Sequence, residues 1–238
     1  MANPKAEEKE RTKRKHRRMF EKYLNACIRF YGRLTVAEAY TIINQQNPGE
    51  ISRCEFLSFI CEEYCDRRIR LNDGIRYKIF LRSDIFTDGS NKIEDAEVID
   101  YLLGVDTLYF RLERNKDRYP LYIPEKRELL KYADDMYIKI TPQLETLASW
   151  TVEHAKENEL MTLEPQDIYE EEATMRISGK YEDTFLEVVD WLALPRGIKA
   201  QREMLDTAEK LVKAAFDNTR IWLYRGHTPK ETHELQKR

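Results

Sequence analysis

The chain has 238 residues, 42% hydrophobic and 35% charged, with only 8 Gly and 8 Pro, a balance that suits one or two helix-rich domains with a real core. Its formal net charge is −3, and no apolar run approaches the ~20 residues of a membrane-spanning helix, so a membrane partner is not expected. Residues 13–18 resemble the basic start of a signal peptide, but Glu21, Lys22 and Arg29 interrupt the apolar stretch that would have to follow, and a cytoplasmic location is expected.

Phe20, Tyr23, Leu24, Cys27, Ile28 and Tyr31 recur at helical spacing and predict a first helix over residues 10–31, stopped by Gly32. Between Arg11 and Lys22 this helix carries seven positive residues and one Glu. Two readings of this arm stand side by side: phosphate contact, or a solvated helix end whose cations pair with Glu7, Glu8 and Glu10. Thr35 with Glu38, and Ser52 with Glu55, are capping boxes that open a second and a third helix, and Ile51 and Phe56 take the staple positions around Ser52. On the third helix Cys54, Cys61 and Cys65 fall at core spacing beside Leu57 and Ile60, so buried, reduced thiols are expected. No CxxC pair suggests zinc.

Two alternating runs follow, residues 69–71 and 75–79, separated by Asn72-Asp73-Gly74, and Asp-Gly between such runs is a hairpin signal. Period two sends Arg68, Arg70, Arg76 and Lys78 outward together as a basic ribbon. Helix, helix, helix and hairpin form the order of a winged helix-turn-helix. A polar stretch at residues 87–91 reads as the seam to a second domain. Residues 1–86 hold 18 Lys/Arg against 12 Asp/Glu, a net of +6, and residues 87–238 hold 22 against 31, a net of −9. The second half reads as helices started by Pro124, Pro142 and Pro165, one over residues 182–192, and a long one over residues 198–224 ended by Gly226. Thr228, Pro229 and Glu231 cap a short last helix.

Few residues point to chemistry. The four histidines lack HExxH spacing and a nearby nucleophile, and no Gly-rich phosphate loop is present, so no cofactor, metal site or catalytic residue is expected. Glu164, Asp167, Glu170, Glu171, Glu172, Glu182, Asp183, Glu187 and Asp190 form an acidic belt, read chiefly as a solvated helix face and alternatively as a metal or partner surface. The third helix presents Arg53, Glu55, Ser58, Glu62 and Glu63, and carboxylates at a DNA groove repel phosphates.

Residues 122–135 with Thr141-Pro142, and Asn218-Thr219-Arg220-Ile221-Trp222 with Arg225-Gly226-His227-Thr228-Pro229-Lys230-Glu231, resemble stretches in a group of uncharacterised proteins from Gram-positive, clostridia-like bacteria. The resemblance implies a winged-helix-like first half, a helical second half, and a bacterial or phage origin. Some of those proteins carry a C-terminal SEC-C-type zinc motif, and this chain departs from them in having no cysteine beyond Cys65.

The expected architecture is mainly α: a winged helix-turn-helix domain with a basic arm over residues 1–86, then an all-α acidic domain over residues 87–238. The expected function is non-catalytic binding or regulation, with Arg14, Arg17 and Arg18 of the arm and Arg68, Arg70, Arg76 and Lys78 of the wing contacting nucleic acid through phosphates. The alternative is a protein-interaction adaptor or inhibitor using the acidic half or the turn carrying Arg225 and His227. A metal-dependent hydrolase is the weaker third reading.

Overall fold

The structure is a computed structural model that describes residues 4–65, 77–80, 97–100, 111–112, 114–115, 117–156 and 162–237. The chain is mainly α-helical and divides into two compact units, Met1–Phe110 with Ile123–Tyr137, and Arg111–Tyr122 with Ile138–Arg238. Among the described residues no helix is long and apolar enough to cross a membrane.

The first unit is built on α1, Pro4–Tyr31, which starts six residues before the expected position. Its apolar periodicity works as read: Phe20, Tyr23, Leu24, Cys27, Ile28 and Tyr31 are all buried, and burial pushes the Cys27 thiol far up. Gly32, at φ 74°, turns the chain into β1, Arg33–Thr35. Thr35 then caps α2, Val36–Gln46, through the reciprocal bonds expected: Glu38 N–H to Thr35 Oγ1 at 3.1 Å and Thr35 N–H to Glu38 Oε2 at 2.9 Å.

In α3, Arg53–Cys65, the Glu55 N–H donates to Ser52 Oγ at 3.2 Å. Among the described side chains of α3 the buried ones are Phe56, Phe59 and Ile60; that of Cys65 lies outside the described set. Cys54 and Cys61 are exposed, contrary to expectation. Of the set read as one core face, Ile60 is buried as expected, but it stands about 100° or more around the helix from Cys54 and Cys61. The aromatic side chains, with more area to bury, took the core and left the thiol face, half a turn away, to solvent.

Two further strands, β2 (Tyr77–Phe80) and β3 (Glu97–Asp100), complete an antiparallel sheet in the order β1-β3-β2. In it Val98 stands opposite both Leu34 and Ile79. The partner of Tyr77–Phe80 is therefore β3; the expected first hairpin strand, its Asn-Asp-Gly turn and the seam at 87–91 lie outside the described residues. Since β3 belongs to this sheet, the first unit continues past residue 86.

The returning segment Ile123–Tyr137 packs on α1. It holds a short helix α4, Lys126–Leu129, and a 3-10 turn, Leu130–Ala133, so the helix expected from Pro124 starts two residues later. Tyr132 is buried with its ring edge-on to Phe30 at 4.9 Å. The buried Arg29 guanidinium donates to Asp135 O at 2.6 Å, to Asp135 Oδ1 at 3.1 Å and to Asp134 O.

The second unit packs α5 (Pro142–Glu153), α6 (Pro165–Ser178), α7 (Tyr181–Trp191) and α8 (Ile198–Asp217) around Leu144, Leu147, Ile168, Met175, Val188 and Val212. Pro142 and Pro165 start their helices as read. At Gly179, the left-handed cap of α6, a Cβ would stand 2.8 Å from Leu223 Cδ1. The helix expected to reach residue 224 stops at Asp217. There Asn218 Nδ2 and the Thr219 hydroxyl take the carbonyls of Ala214 and Ala215 at 2.9 and 3.0 Å, ending the ladder from the side-chain side. A 3-10 turn, Trp222–Tyr224, and α9, Pro229–Leu235, close the chain, the latter with the Thr228–Glu231 box expected.

Arg29→Met should detach the 123–137 segment first. Its loss of hydrogen bonds from a buried charged donor is expected to lower stability by about 2–3 kcal/mol, read as an earlier denaturant midpoint. An unchanged midpoint would mean the segment is held by its apolar contacts alone.

Candidate nucleic-acid interface

Positions 13, 16, 17 and 20 share one face of α1, and that face meets α3. Phe20 lies 5.2 Å from both Phe56 and Phe59, ring to ring. Above this contact the polar side chains pair across the helices. Lys13 binds Glu62 at 3.1 Å, and His16 Nδ1 lies 2.5 Å from Glu55 Oε1. Arg17 reaches Glu21 and Glu62, each at 3.2 Å, and Glu63, with its guanidinium 5.4 Å from the Phe59 ring. The carboxylates that an α3 reading head would turn toward DNA are thus spent on the arm of the same unit.

Two further cations are engaged beside that face. Arg14 pairs with Glu10 at 3.2 Å, and Lys15 with Glu50 at 2.9 Å. The Lys15 hydrogen bond and charge hold the Glu50 carboxyl below its usual range. Of the three arm residues expected to contact nucleic acid, Arg14 and Arg17 are in ion pairs, whereas Arg18 is exposed and makes none among the described residues.

Arg68, Arg70 and Arg76 lie outside the described residues. Lys78 stands in β2 opposite Ile99, and its side chain is outside the described set. Arg53, the first residue of α3, is exposed; from Cys54 to Glu62 the exposed residues are Cys54, Ser58, Cys61 and Glu62, with no cation among them.

Arg225 and His227, expected to hold a partner, hold the chain's own extended segment 119–122, within the second unit. The Arg225 guanidinium donates to Tyr119 O at 3.3 Å, and the Tyr122 N–H donates to Arg225 O at 3.2 Å. His227 Nε2 lies 3.0 Å from Pro120 O, which only accepts, so this nitrogen carries the proton. The Arg220 guanidinium covers the Tyr122 ring at 3.8 Å and pairs with Glu231. Arg225 adopts the left-handed backbone at φ 55°, normally left to Gly or Asn, to reach this position. Linear sequence gave no sign that residues over a hundred positions apart meet here.

The acidic belt does not form one solvated face. Glu172 is buried beside Arg176, 3.7 Å away. Glu171 is half-buried and accepts from the Thr184 hydroxyl at 2.9 Å. Among the described residues no group of three or more His, Cys, Asp or Glu is arranged to hold a metal ion. His154 stacks on Trp150 with ring centroids 4.6 Å apart.

No protein-family model, curated protein or solved structure matches this chain.

Burial raises the Glu171 carboxyl above its ordinary range; the Thr184 hydrogen bond opposes the rise, and Glu187, Asp183 and Glu170 add to it. A raised folded value means the folded chain binds the proton more tightly than the unfolded chain. The stabilisation is therefore full below the unfolded pKa and lost as pH climbs through the folded one. Glu171→Gln keeps an acceptor for Thr184 and removes the buried charge, so its melting temperature should match the parent at about pH 4 and exceed it at about pH 7. Parallel melting curves across that range would contradict this.

Proposed function

We propose that this is a non-catalytic, cytoplasmic binding protein whose first unit is a winged helix that contacts nucleic acid through phosphates. One observation carries the reading: the order helix, strand, helix, helix, strand, strand, with the last strand central in the sheet. In that order a paired β2 and β3 follow α3, as a wing would. The net charge of +6 over residues 1–86 supports a polyanionic partner. The composition of α3 narrows the mode of contact. Beyond Arg53 at its first position, its exposed Cys54, Ser58, Cys61 and Glu62 offer none of the Arg, Lys, Asn or Gln that read base edges, so affinity comes chiefly from the backbone and depends little on sequence.

The same face favours a second reading, in which the winged helix is a protein-contact module and the chain an adaptor or inhibitor. A neutral-to-acidic helix surface suits a basic protein partner better than a phosphate backbone.

Fluorescence anisotropy with labelled random-sequence duplex, single-stranded DNA and RNA over a salt series separates the two. The phosphate reading predicts micromolar or tighter binding that weakens steeply with salt, with little preference among sequences. Absence of binding even at low salt would overturn it in favour of the adaptor.

A further inference from the structure

The cations of α1 do not all meet the same fate. Lys13 and Arg17 face α3 and are paired with its carboxylates. Arg11, Arg18 and Lys22 recur at i, i+7 and i+11 on the opposite side of the helix, within about 40° of one another. All three are exposed, and none makes an ion pair among the described residues. Between α1 and the 3-10 turn Leu130–Ala133 lies an open groove of about 590 Å³, into which Arg18, Lys22 and Lys131 project from its two walls. Lys131 is exposed, with its ammonium 5.7 Å from the Tyr137 ring.

Two carboxylates also line the groove, and both are engaged. Glu21 accepts from Arg17 at 3.2 Å, and Asp134 Oδ1 accepts from the Met136 N–H at 3.0 Å. Three cations face two carboxylates there, and none of the three is in an ion pair among the described residues, so the groove carries a net positive charge. The walls are held in place from behind. Phe20, Leu24 and Cys27 bury the opposite side of α1, and Arg29 ties the far wall through Asp134 and Asp135. From Arg11 to Lys22 the ridge runs about 16 Å along a straight helix, which suits a stiff linear polyanion better than one enclosed phosphate.

We propose that the phosphate backbone of duplex DNA lies along this outward ridge of α1, held in the groove by Arg18, Lys22 and Lys131 and continued by Arg11. The placement rests on the phosphate-contact reading above and departs from the sequence expectation, since it replaces Arg14 and Arg17 with Lys22 and Lys131. Lys131 belongs to a segment about 110 residues beyond the arm and reaches the groove only through the fold.

The test uses the full chain and a labelled, random-sequence, roughly 20-bp duplex over a salt series. Arg18→Gln, Lys22→Gln and Lys131→Gln together should weaken binding at least about tenfold at low salt and reduce the slope of log affinity against log salt by about three. Lys131→Gln alone should reduce that slope by about one. A charge-matched control in the other unit, Arg196→Gln with Lys199→Gln and Arg202→Gln, should bind as the parent does. All six side chains are exposed, and melting temperatures check that each variant folds. The placement is overturned if the parent binds and the ridge variants keep its affinity and slope, or if the control loses as much as they do. A parent that binds no duplex at any salt overturns the phosphate reading itself, and the placement with it.

Discussion

The first unit depends on how α1 divides its circumference. A 28-residue helix whose first half is mostly charged and whose second half is mostly apolar has to find different partners at its two ends. Its last six residues, 26–31, are buried on all sides, Arg29 included. They organise the sheet, α2 and the returning 123–137 segment. The first half projects polar side chains, and the α3-facing side of it is matched by Glu55, Glu62 and Glu63 over a floor of Phe20, Phe56 and Phe59. An exposed ion pair contributes at most about 1 kcal/mol, so no single pair here fixes the angle between the helices. The fixed geometry comes from the aromatic contact beneath, worth about 0.5–1.5 kcal/mol per ring pair beyond its buried area, with the charges selecting the register.

This division changes how charge in the sequence is to be weighed. The 18 Lys/Arg of residues 1–86 include Lys13, Arg14, Lys15 and Arg17, and each of these has a carboxylate partner within hydrogen-bonding reach. What remains for a polyanion on α1 is the side that points away from α3. The glutamates of α3, which looked like an argument against nucleic acid, serve largely to neutralise the inner side of the arm. They remain an argument against base reading, because beyond Arg53 the exposed face through Glu62 carries no cation.

Signals that act within four residues were legible in the sequence. Thr35 with Glu38, Thr228 with Glu231, and the prolines at 142 and 165 each placed a helix start, because capping is decided by the backbone groups next to the side chain. Readings that needed a third dimension failed. Ile60 is buried as spacing said, but Cys54 and Cys61, read with it, are exposed, and Phe56 and Phe59 took the core in their place. The four residues of β3 are too short to show alternation, so its pairing with β1 and β2 was invisible, and the domain boundary was drawn before it. The long helix was carried past Asp217 because Ile221, Trp222 and Leu223 continue an apolar pattern, although they are buried in an irregular turn. At the candidate site Arg18 was legible, Lys131 was not, and the self-contact of Arg225 and His227 with residues 119–122 had no local trace.

A double-mutant cycle between Arg17 and Glu63 tests most directly the claim that the inner cations of α1 are committed to α3. Denaturant unfolding of the parent, Arg17→Gln, Glu63→Gln and the double variant yields the coupling free energy between the two charges. The account predicts a favourable coupling of about 1 kcal/mol, shrinking as salt is added. A coupling indistinguishable from zero at low salt would leave Arg17 uncommitted and free for an external anion, and the division of the helix into an inner and an outer charged face would be wrong.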